Sequence, residues 1–463
     1  MICNDYHRGR AGDRVPARRQ TVTALANFFT RIVNRYMPDP LVVAILLTAL
    51  TVLIAMLAQG TGFLEATRYW GDGFWNLLAF TMQMTVILLA GYILARTPAV
   101  DRLMDMVVSG ITTPRAAIIA ATLFGGVGSW LNWGFGLVLG TLIAQKLGRK
   151  VEGLHYPLVI AAGYSGFAVY GVGLSGSVPL LINTPGHFLE ETIGLVSLSD
   201  TIFSPYLLTM NLILLVTLPL FNAMLHPKNP ADVVRAKPAP EIAAEPAADP
   251  AERTLADRLN RSPVLGVGMG LFGLFYAALY LVDGGSITLN FVNLLFLFLG
   301  VTLFVTPARF LAALNDGVKV VGGIIVQYPF YAGILAILAG SGLIVTFSNW
   351  FVSFSTAQTL PIWSFLSAGI INILVPSGGG QWVIQGPVMM AAAKELGASI
   401  PATALAVQIG DQWTNMVQPF WLLPALAISG LKLKDLMGYM VLVLLYLGVV
   451  FLATVTLWGM MGA

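Results

Sequence analysis

The sequence predicts an all-α polytopic membrane protein made of two inverted-topology repeats, each carrying a re-entrant helical hairpin and a broken transmembrane helix. Three observations carry that reading. Apolar runs of membrane length recur along the chain, a charged segment divides it near the middle, and a glycine-rich interruption appears once in each half. Of the 463 residues 57% are hydrophobic and only 10% charged, with a mean hydropathy of +0.80. Runs of about twenty apolar residues are long enough to span a bilayer as helices, and residues 41–57 and 441–458 carry no charge at all. That excludes a soluble domain, and the absence of a short alternating pattern excludes an outer-membrane barrel.

The first element is a basic tail, residues 1–35, with Arg8, Arg10, Arg14, Arg18, Arg19, Arg31 and Arg35 ahead of the first apolar run. That run has the length of a full span and no small-residue cleavage site behind it, so it reads as a signal anchor rather than a cleaved signal peptide. The tail accounts for the net charge of +3. Positive charge before a span marks the cytoplasmic side, and this reading outweighs nucleic-acid binding. Cys3 is the only cysteine, which rules out a disulfide framework.

The first membrane repeat, 36–225, contains spans near 40–58 and 73–95, a hairpin near 114–146, a broken span near 153–178 and a span near 203–225. Arg96, Arg102 and Arg115 precede the hairpin, and Lys146, Arg149 and Lys150 follow it. Both flanks read as cytoplasmic, so the segment enters from inside and turns back. Residues 226–261 are rich in proline, alanine and charge and read as a soluble cytoplasmic linker. The second repeat, 262–463, has spans near 263–282, 288–306 and 317–340, a hairpin near 361–396, a broken span near 400–428 and a last span near 436–459. Its hairpin has almost uncharged flanks, which places them outside. Sparse internal matches support the pairing of the halves: Asp72-Gly73 with Asp316-Gly317, Gln83 with Gln327, Trp133 with Trp382, and Leu147-Gly148 with Leu396-Gly397. Equivalent elements run in opposite directions, the pattern of an inverted repeat.

Irregular backbone at membrane depth must be buried in protein or wetted by a cavity, because unsatisfied amides are costly in lipid. The hairpin tips are therefore interior. In residues 372–387, NILVPSGGGQWVIQGP, the glycines Gly378, Gly379 and Gly380 turn the backbone tightly and leave N–H groups at a helix start, a favourable place for a carboxylate. Ser377 and Gln381 add donors. The first tip, GGVGSWLNWG, offers Ser129 and Asn132, and Trp133 with Trp382 reads as a pair of walls for an apolar tail. A glycine-rich packing surface would explain the glycines but not Gln381, Gln385 or Asn132.

In GDQWTNMVQP, residues 410–419, Asp411 is the only acid between Glu395 and Asp435. A lone carboxylate at that depth pairs with a bound cation or takes up a proton. Thr414, Asn415 and Gln418 supply further oxygens, and Gly410, Pro419 and Pro424 favour local unwinding. Such hard oxygen ligands, with no histidine or cysteine nearby, suit Na⁺ or H⁺. Gln412 and Thr414 are counted with the substrate contacts. A structural aspartate bonded across helices is the plainer reading.

The first-half equivalent, GYSGFAVYGVGLSGS, presents Tyr164, Ser165, Ser175 and Ser177 to a substrate oxyanion. Its GLSG also matches the G-x-S-G of intramembrane serine hydrolases, which need a base; only His187 could reach Ser175. His187 lies in NTPGHFLEE beside Glu190 and Glu191, whose charge should raise its pKa and make it a candidate gate. A surface-loop histidine is the plainer reading. No phosphate-binding loop, dinucleotide fingerprint or His/Cys cluster appears, so neither ATP coupling nor a cofactor is expected, and no metal beyond Na⁺ at the cation site.

The stretches VPSGGGQWVIQGP, GDQWTNMVQPFW, YSGF and LSGSVPLLINTPGHF resemble the bacterial short-chain fatty acid transporter family, part of the ion-transporter superfamily of elevator-type carriers. The resemblance runs from about Ala24 to the C-terminus. It implies uptake of short-chain monocarboxylates such as acetoacetate or butyrate, coupled to a cation, by a homodimer in the bacterial inner membrane. It also implies a binding site between the two hairpin tips and the two broken spans. On that placement Ser377 to Gln381, with Ser175 and Ser177 opposite, hold the carboxylate, while Asp411, Asn415, Asn132 and Gln418 hold the cation. Another small organic anion, a dicarboxylate or an amino acid, is the alternative cargo. The rival classes are a channel, which needs a continuous polar path, and an intramembrane hydrolase.

Overall fold

In the computed structural model residues 40–236, 254–373 and 375–462 are described, so the basic tail and the middle of the linker lie outside them. Every regular element among the described residues is a helix. In the first half these are α1 (Pro40–Gln59), α2 (Phe63–Gly73), α3 (Leu78–Ala95), α4 (Pro98–Gly110), α5 (Pro114–Leu131), α6 (Trp133–Lys150), α7 (Tyr156–Ser165), a 3₁₀ turn (Gly166–Val172), α8 (Ser177–Ile182), α9 (Glu190–Ile193) and α10 (Pro205–Met224). After the linker come α11 (Leu255–Asn260), α12 (Pro263–Val282), α13 (Leu289–Phe304), α14 (Pro307–Gly340), α15 (Leu343–Phe354), α16 (Leu360–Ile371), α17 (Gly378–Leu396), α18 (Ile400–Thr414), a 3₁₀ turn (Asn415–Val417), α19 (Pro419–Ser429) and α20 (Leu433–Met461).

Local chemistry sets many of the boundaries. Thr97-Pro98, Thr113-Pro114, Ser204-Pro205 and Ser262-Pro263 each open a helix, the hydroxyl accepting an N–H of the first turn and the proline occupying a position that needs no donor. The expected span near 73–95 starts later, at Leu78, and Gly73 ends a separate helix, α2. The chain breaks after Gly73, where the space a Cβ would need is filled by Ala336 of α14, so α2 and α14 approach too closely for any larger residue. The uncharged stretch before the second hairpin is not a plain loop but α15, and α4 is its counterpart before the first hairpin.

Among the described residues seven helical segments are long and apolar enough to cross a membrane: α1, α3, α7 with α8, α10, α12, the end of α14, and α20. Their surroundings differ. The broken segment Tyr156–Ile182 is 94% buried over its apolar window, whereas α1 and α12 are each 22% buried, which puts the break at the centre and those two helices at the lipid-facing edge.

The two halves repeat one order: span, span, short amphipathic helix, hairpin, broken helix, span. Their contacts mirror one another. α3 packs on α6 as α14 packs on α17, α1 on α14 as α13 on α3, α10 on α5 as α20 on α16, and α6 on α19 as α17 on α8. Four of the candidate segments precede the linker, the even number that a return to the starting face requires. α12 has no counterpart in the first half, and its single extra crossing reverses the direction in which the second repeat is threaded. The fold is thus the all-α polytopic, inverted-repeat architecture that the sequence predicts.

Candidate functional site

The two chain breaks meet at the centre. α18 stops because Pro419 holds Gln418 in an extended conformation (φ −81°, ψ 117°) and supplies no N–H to continue the ladder. The first break is written in glycine. A Cβ on Gly173 would overlap the Trp130 backbone, whose carbonyl accepts the N–H of Leu174 at 2.7 Å. α7 and its 3₁₀ turn thereby come against α18.

Polar groups of the two repeats interlock there. Asp411 is fully buried. Its Oδ2 accepts from the Tyr170 hydroxyl, from Asn415 Nδ2 at 3.1 Å and, at 3.5 Å, from Gln408 Nε2. Its Oδ1 is buried with no hydrogen-bond partner among the described residues. The Tyr164 hydroxyl donates to Asn415 O at 2.6 Å, the Gly171 N–H to Gln412 Oε1 at 3.0 Å, and the Val178 N–H to Gln408 Oε1 at 3.2 Å. Each bond joins one broken helix to the other.

The second hairpin closes on this cluster through Asn372. Its Nδ2 lies 2.8 Å from Asp411 O, 2.9 Å from Thr414 Oγ1 and 2.7 Å from Asn415 Oδ1. An amide nitrogen has two hydrogens, so three acceptors converge on a group that can satisfy two, while Asn372 Oδ1 is buried without a partner among the described residues. Gln418 Nε2 donates to the Asn372 and Ile373 carbonyls at 2.7 and 3.1 Å, capping the end of α16. Four of the expected residues, Asp411, Thr414, Asn415 and Gln418, are therefore together. Asn372, Tyr170 and Gln408 complete the group and were not singled out from the sequence.

The tip itself is close by. Ser377 starts α17 and hydrogen-bonds the Tyr328 hydroxyl at 2.8 Å, another contact the sequence left hidden. A Cβ on Gly378 would sit 2.9 Å from Gln408 Nε2 and 3.1 Å from Tyr170 Oη; one on Gly379 would sit 2.7 Å from Tyr328 Oη and 3.0 Å from Phe80 Cζ. Glycine is what lets this helix start reach both tyrosines. Gly380 stands likewise against Tyr331. Gln381 is buried and turns sideways, donating to Ala368 O at 3.0 Å and Gln385 Oε1 at 2.8 Å, so it ties the hairpin arms together.

The first hairpin contributes differently. Asn132 caps α6 by accepting the Phe135 N–H at 2.9 Å and donates to Ile87 O at 3.3 Å; its bonds hold the tip to α3 and none runs to Asp411. Ser129 is buried with an unpartnered hydroxyl. Ser175 accepts the Trp133 N–H at 2.8 Å, Ser177 begins α8, and Ser165 accepts from Asn222 Nδ2 at 2.8 Å on the side of α10. Trp133 packs edge-on against Trp421, 5.6 Å between centroids, and against Tyr170 at 6.4 Å. Trp133 is the first residue of α6, whereas Trp382 lies a full turn inside α17 because that helix starts earlier, at Gly378. Trp382 is wholly buried.

His187 corrects an expectation. It is buried in its loop, Nε2 3.1 Å from Gly194 O and Nδ1 accepting the Leu189 N–H at 3.3 Å. Burial lowers its pKa, outweighing the Gly194 carbonyl and the charge of Glu190. Both ring nitrogens are engaged within the loop and the Ser175 hydroxyl serves Trp133, so no serine–histidine pair is assembled.

Residues 21–458 match the family described as short chain fatty acid transporter. A protein of Escherichia coli strain K12 named for short-chain fatty acid transport is 42% identical over 436 residues, covering 94% of this chain and 99% of the relative. One of Haemophilus influenzae with the same name is 36% identical over 440 residues, covering 93% and 98%. Among solved structures, the YdaH transporter of Alcanivorax borkumensis superposes with a TM-score of 0.57 at 16% identity over 92% of this chain and 99% of its own. MtrF of Neisseria gonorrhoeae gives 0.56 at 13%, over 94% and 97%. At such identities the likeness is one of fold. On its sequence the chain belongs to the short chain fatty acid transporter family and is a membrane transporter, not an enzyme.

Proposed function

We propose that this transporter takes up short-chain monocarboxylates by cation-coupled alternating access, with the two hairpins and two broken helices moving as a unit against the remaining helices. The observation that carries the proposal is Asp411: a fully buried carboxylate with one unpartnered oxygen, at the point where a hairpin tip meets both chain breaks. A buried charge without a compensating partner is expensive, and a coupling cation, Na⁺ or H⁺, removes that cost when it binds. Beside it the Asp411 carbonyl, Thr414 Oγ1 and Asn415 Oδ1 gather on Asn372 Nδ2, a cluster of oxygens that a cation could share. The substrate carboxylate then takes the N–H groups of Gly378 and Gly379 at the start of α17, which lack intrahelical acceptors, beside Tyr328 and Ser377, whose Oγ accepts the Gly380 N–H. The aromatic rings of Phe80, Tyr328 and Tyr331 suit its short tail.

In this reading the hairpins are re-entrant, the tail and linker face the cytoplasm, the protein sits in the inner membrane as a homodimer, and the His187 loop covers the outer side. Labelled butyrate uptake into proteoliposomes, with and without an imposed Na⁺ or H⁺ gradient, is the test. Accumulation driven by one gradient and abolished in Asp411→Ala is expected. Uptake that stays gradient-driven and undiminished in that variant would sink the coupling role.

A further inference from the structure

The linker does not leave the protein where α10 ends. Residues 226–236 fold back onto the foot of α7, and three hydrogen bonds fasten them there. The Tyr156 N–H donates to Val234 O at 2.8 Å, the His155 N–H to His226 Nε2 at 3.2 Å, and the Val234 N–H to His155 Nδ1 at 3.0 Å. His226 Nδ1 contacts Pro227 O at 3.0 Å, which assigns the ring hydrogen to Nδ1 and the lone pair to Nε2. His155 is buried, its ring edge-on to Tyr439 at 5.9 Å, while His226 is partly open.

Two of the three fastenings therefore end on an imidazole lone pair. An imidazolium has none, so a second proton on either ring sets donor against donor and breaks the bond. Imidazole is the side chain that changes charge between about pH 5 and 8. Among the described residues the titratable groups on the elements packed here include Arg149, Lys150, Glu152 and Tyr156 before and at α7, Lys228, Asp232 and Arg235 in the folded-back segment, and Lys434, Asp435 and Tyr439 on α20. They carry both signs, and none restores a lone pair to a protonated ring.

We infer that residues 226–236 are a proton-released strap, docked on the foot of α7 while His155 and His226 are neutral and freed when that face is acidified. The freed state binds up to two more protons than the docked one, so by linkage the docking constant falls by as much as about 100-fold per pH unit. The position gives release a consequence. Tyr156, held by the strap through its N–H, donates its hydroxyl to Ser429 O at 3.0 Å, joining the foot of α7 to the end of α19. α7 in turn leads to Tyr164 and Tyr170, which hold Asn415 and Asp411. If the coupling cation is H⁺, one of the two proposed above, uptake carries protons to that face and the strap senses the load.

The test reads the strap itself, so its failure is distinct from failure of the transport proposal. Hydrogen exchange of the full-length chain in nanodiscs, corrected for the intrinsic pH dependence of exchange, is followed from pH 7.5 to 5.0. The amides of His155, Tyr156 and Val234 should lose protection at least tenfold on acidification. The double variant His155→Asn/His226→Gln, whose amide oxygens accept without titrating, should keep it. Protection that does not change with pH in the unmodified chain overturns the strap, and so does an equal loss in the double variant. The unmodified chain alone decides the matter if the variant does not fold.

Discussion

Tyr170 shows how much of the site rests on single atoms. Its hydroxyl donates to Asp411 and accepts from Gln408 Nε2 at 3.3 Å and Asn415 Nδ2 at 3.2 Å, so Tyr170→Phe strips three partners at once. Leaving buried polar groups unpaired costs about 1–3 kcal/mol, which corresponds to roughly a five- to hundredfold change in an equilibrium constant. We expect the half-saturating concentration of the coupling cation to shift at least fivefold in this variant, with the KM for butyrate moving less. An unchanged cation dependence would remove Tyr170 from the coupling site. At His187 the prediction concerns pH. Its lowered pKa means that the folded loop favours the neutral ring, so the unfolded loop binds more protons. The loop's stability is therefore complete above the ordinary histidine range and drains as the pH falls below about 6.5. Limited proteolysis between residues 183 and 204 should be faster at pH 5.5 than at 7.5, and His187→Gln should flatten that difference.

A break in a helix is held open by chemistry that would otherwise close it. Pro419 is what keeps α18 and α19 apart, and Pro419→Ala allows one continuous helix that turns Gln418 away from the Asn372 and Ile373 carbonyls. Uptake should fall tenfold or more while the thermal midpoint holds or rises, since the lost element is functional strain rather than packing. A lowered midpoint with normal uptake would show the opposite. This is also the scale at which the sequence was most legible. Spans announced themselves by apolar length and by Ser/Thr-Pro starts, and hairpins by glycine between like-charged flanks. α4 and α15 did not, because helices of 13 and 12 residues are too short to register as spans, and α15 carries no charge to separate it from its apolar neighbours. Within the site, Asp411, Thr414, Asn415 and Gln418 were readable because they lie within two turns of one segment. Tyr170 and Asn372 were not: their bonds to Asp411 cross 241 and 39 positions, and a tyrosine within an apolar run looks like any core residue. Spacing in sequence likewise does not reveal that Trp382 lies a turn inside α17 while Trp133 starts α6.

The direction of the whole second half depends on one helix. Each repeat has an even number of candidate spans, so two repeats joined by a soluble linker alone would lie parallel, and α12 supplies the odd one that an inverted second repeat needs. Its inner face is fitted to that role. Gly266, Gly270 and Gly273 let it lie directly on Val305, Thr302 and Phe298 at the far edge of α13, while Phe272, Phe275 and Tyr276 remain exposed in the manner of a lipid-facing surface. With α13 and the α18–α19 pair added to the seven long segments, the candidate crossings among the described residues are odd in number, and we predict that the two ends lie on opposite faces. Cys3, the only cysteine, reports one end without engineering. A membrane-impermeant maleimide applied to intact cells should leave Cys3 unmodified until the membrane is permeabilised. The variant Cys3→Ser/Gly462→Cys should label at once. Labelling of both ends from the same side would mean that α12 or one of the two shorter segments does not cross, and the inverted threading, with the opposed hairpins that alternating access requires, would fall with it.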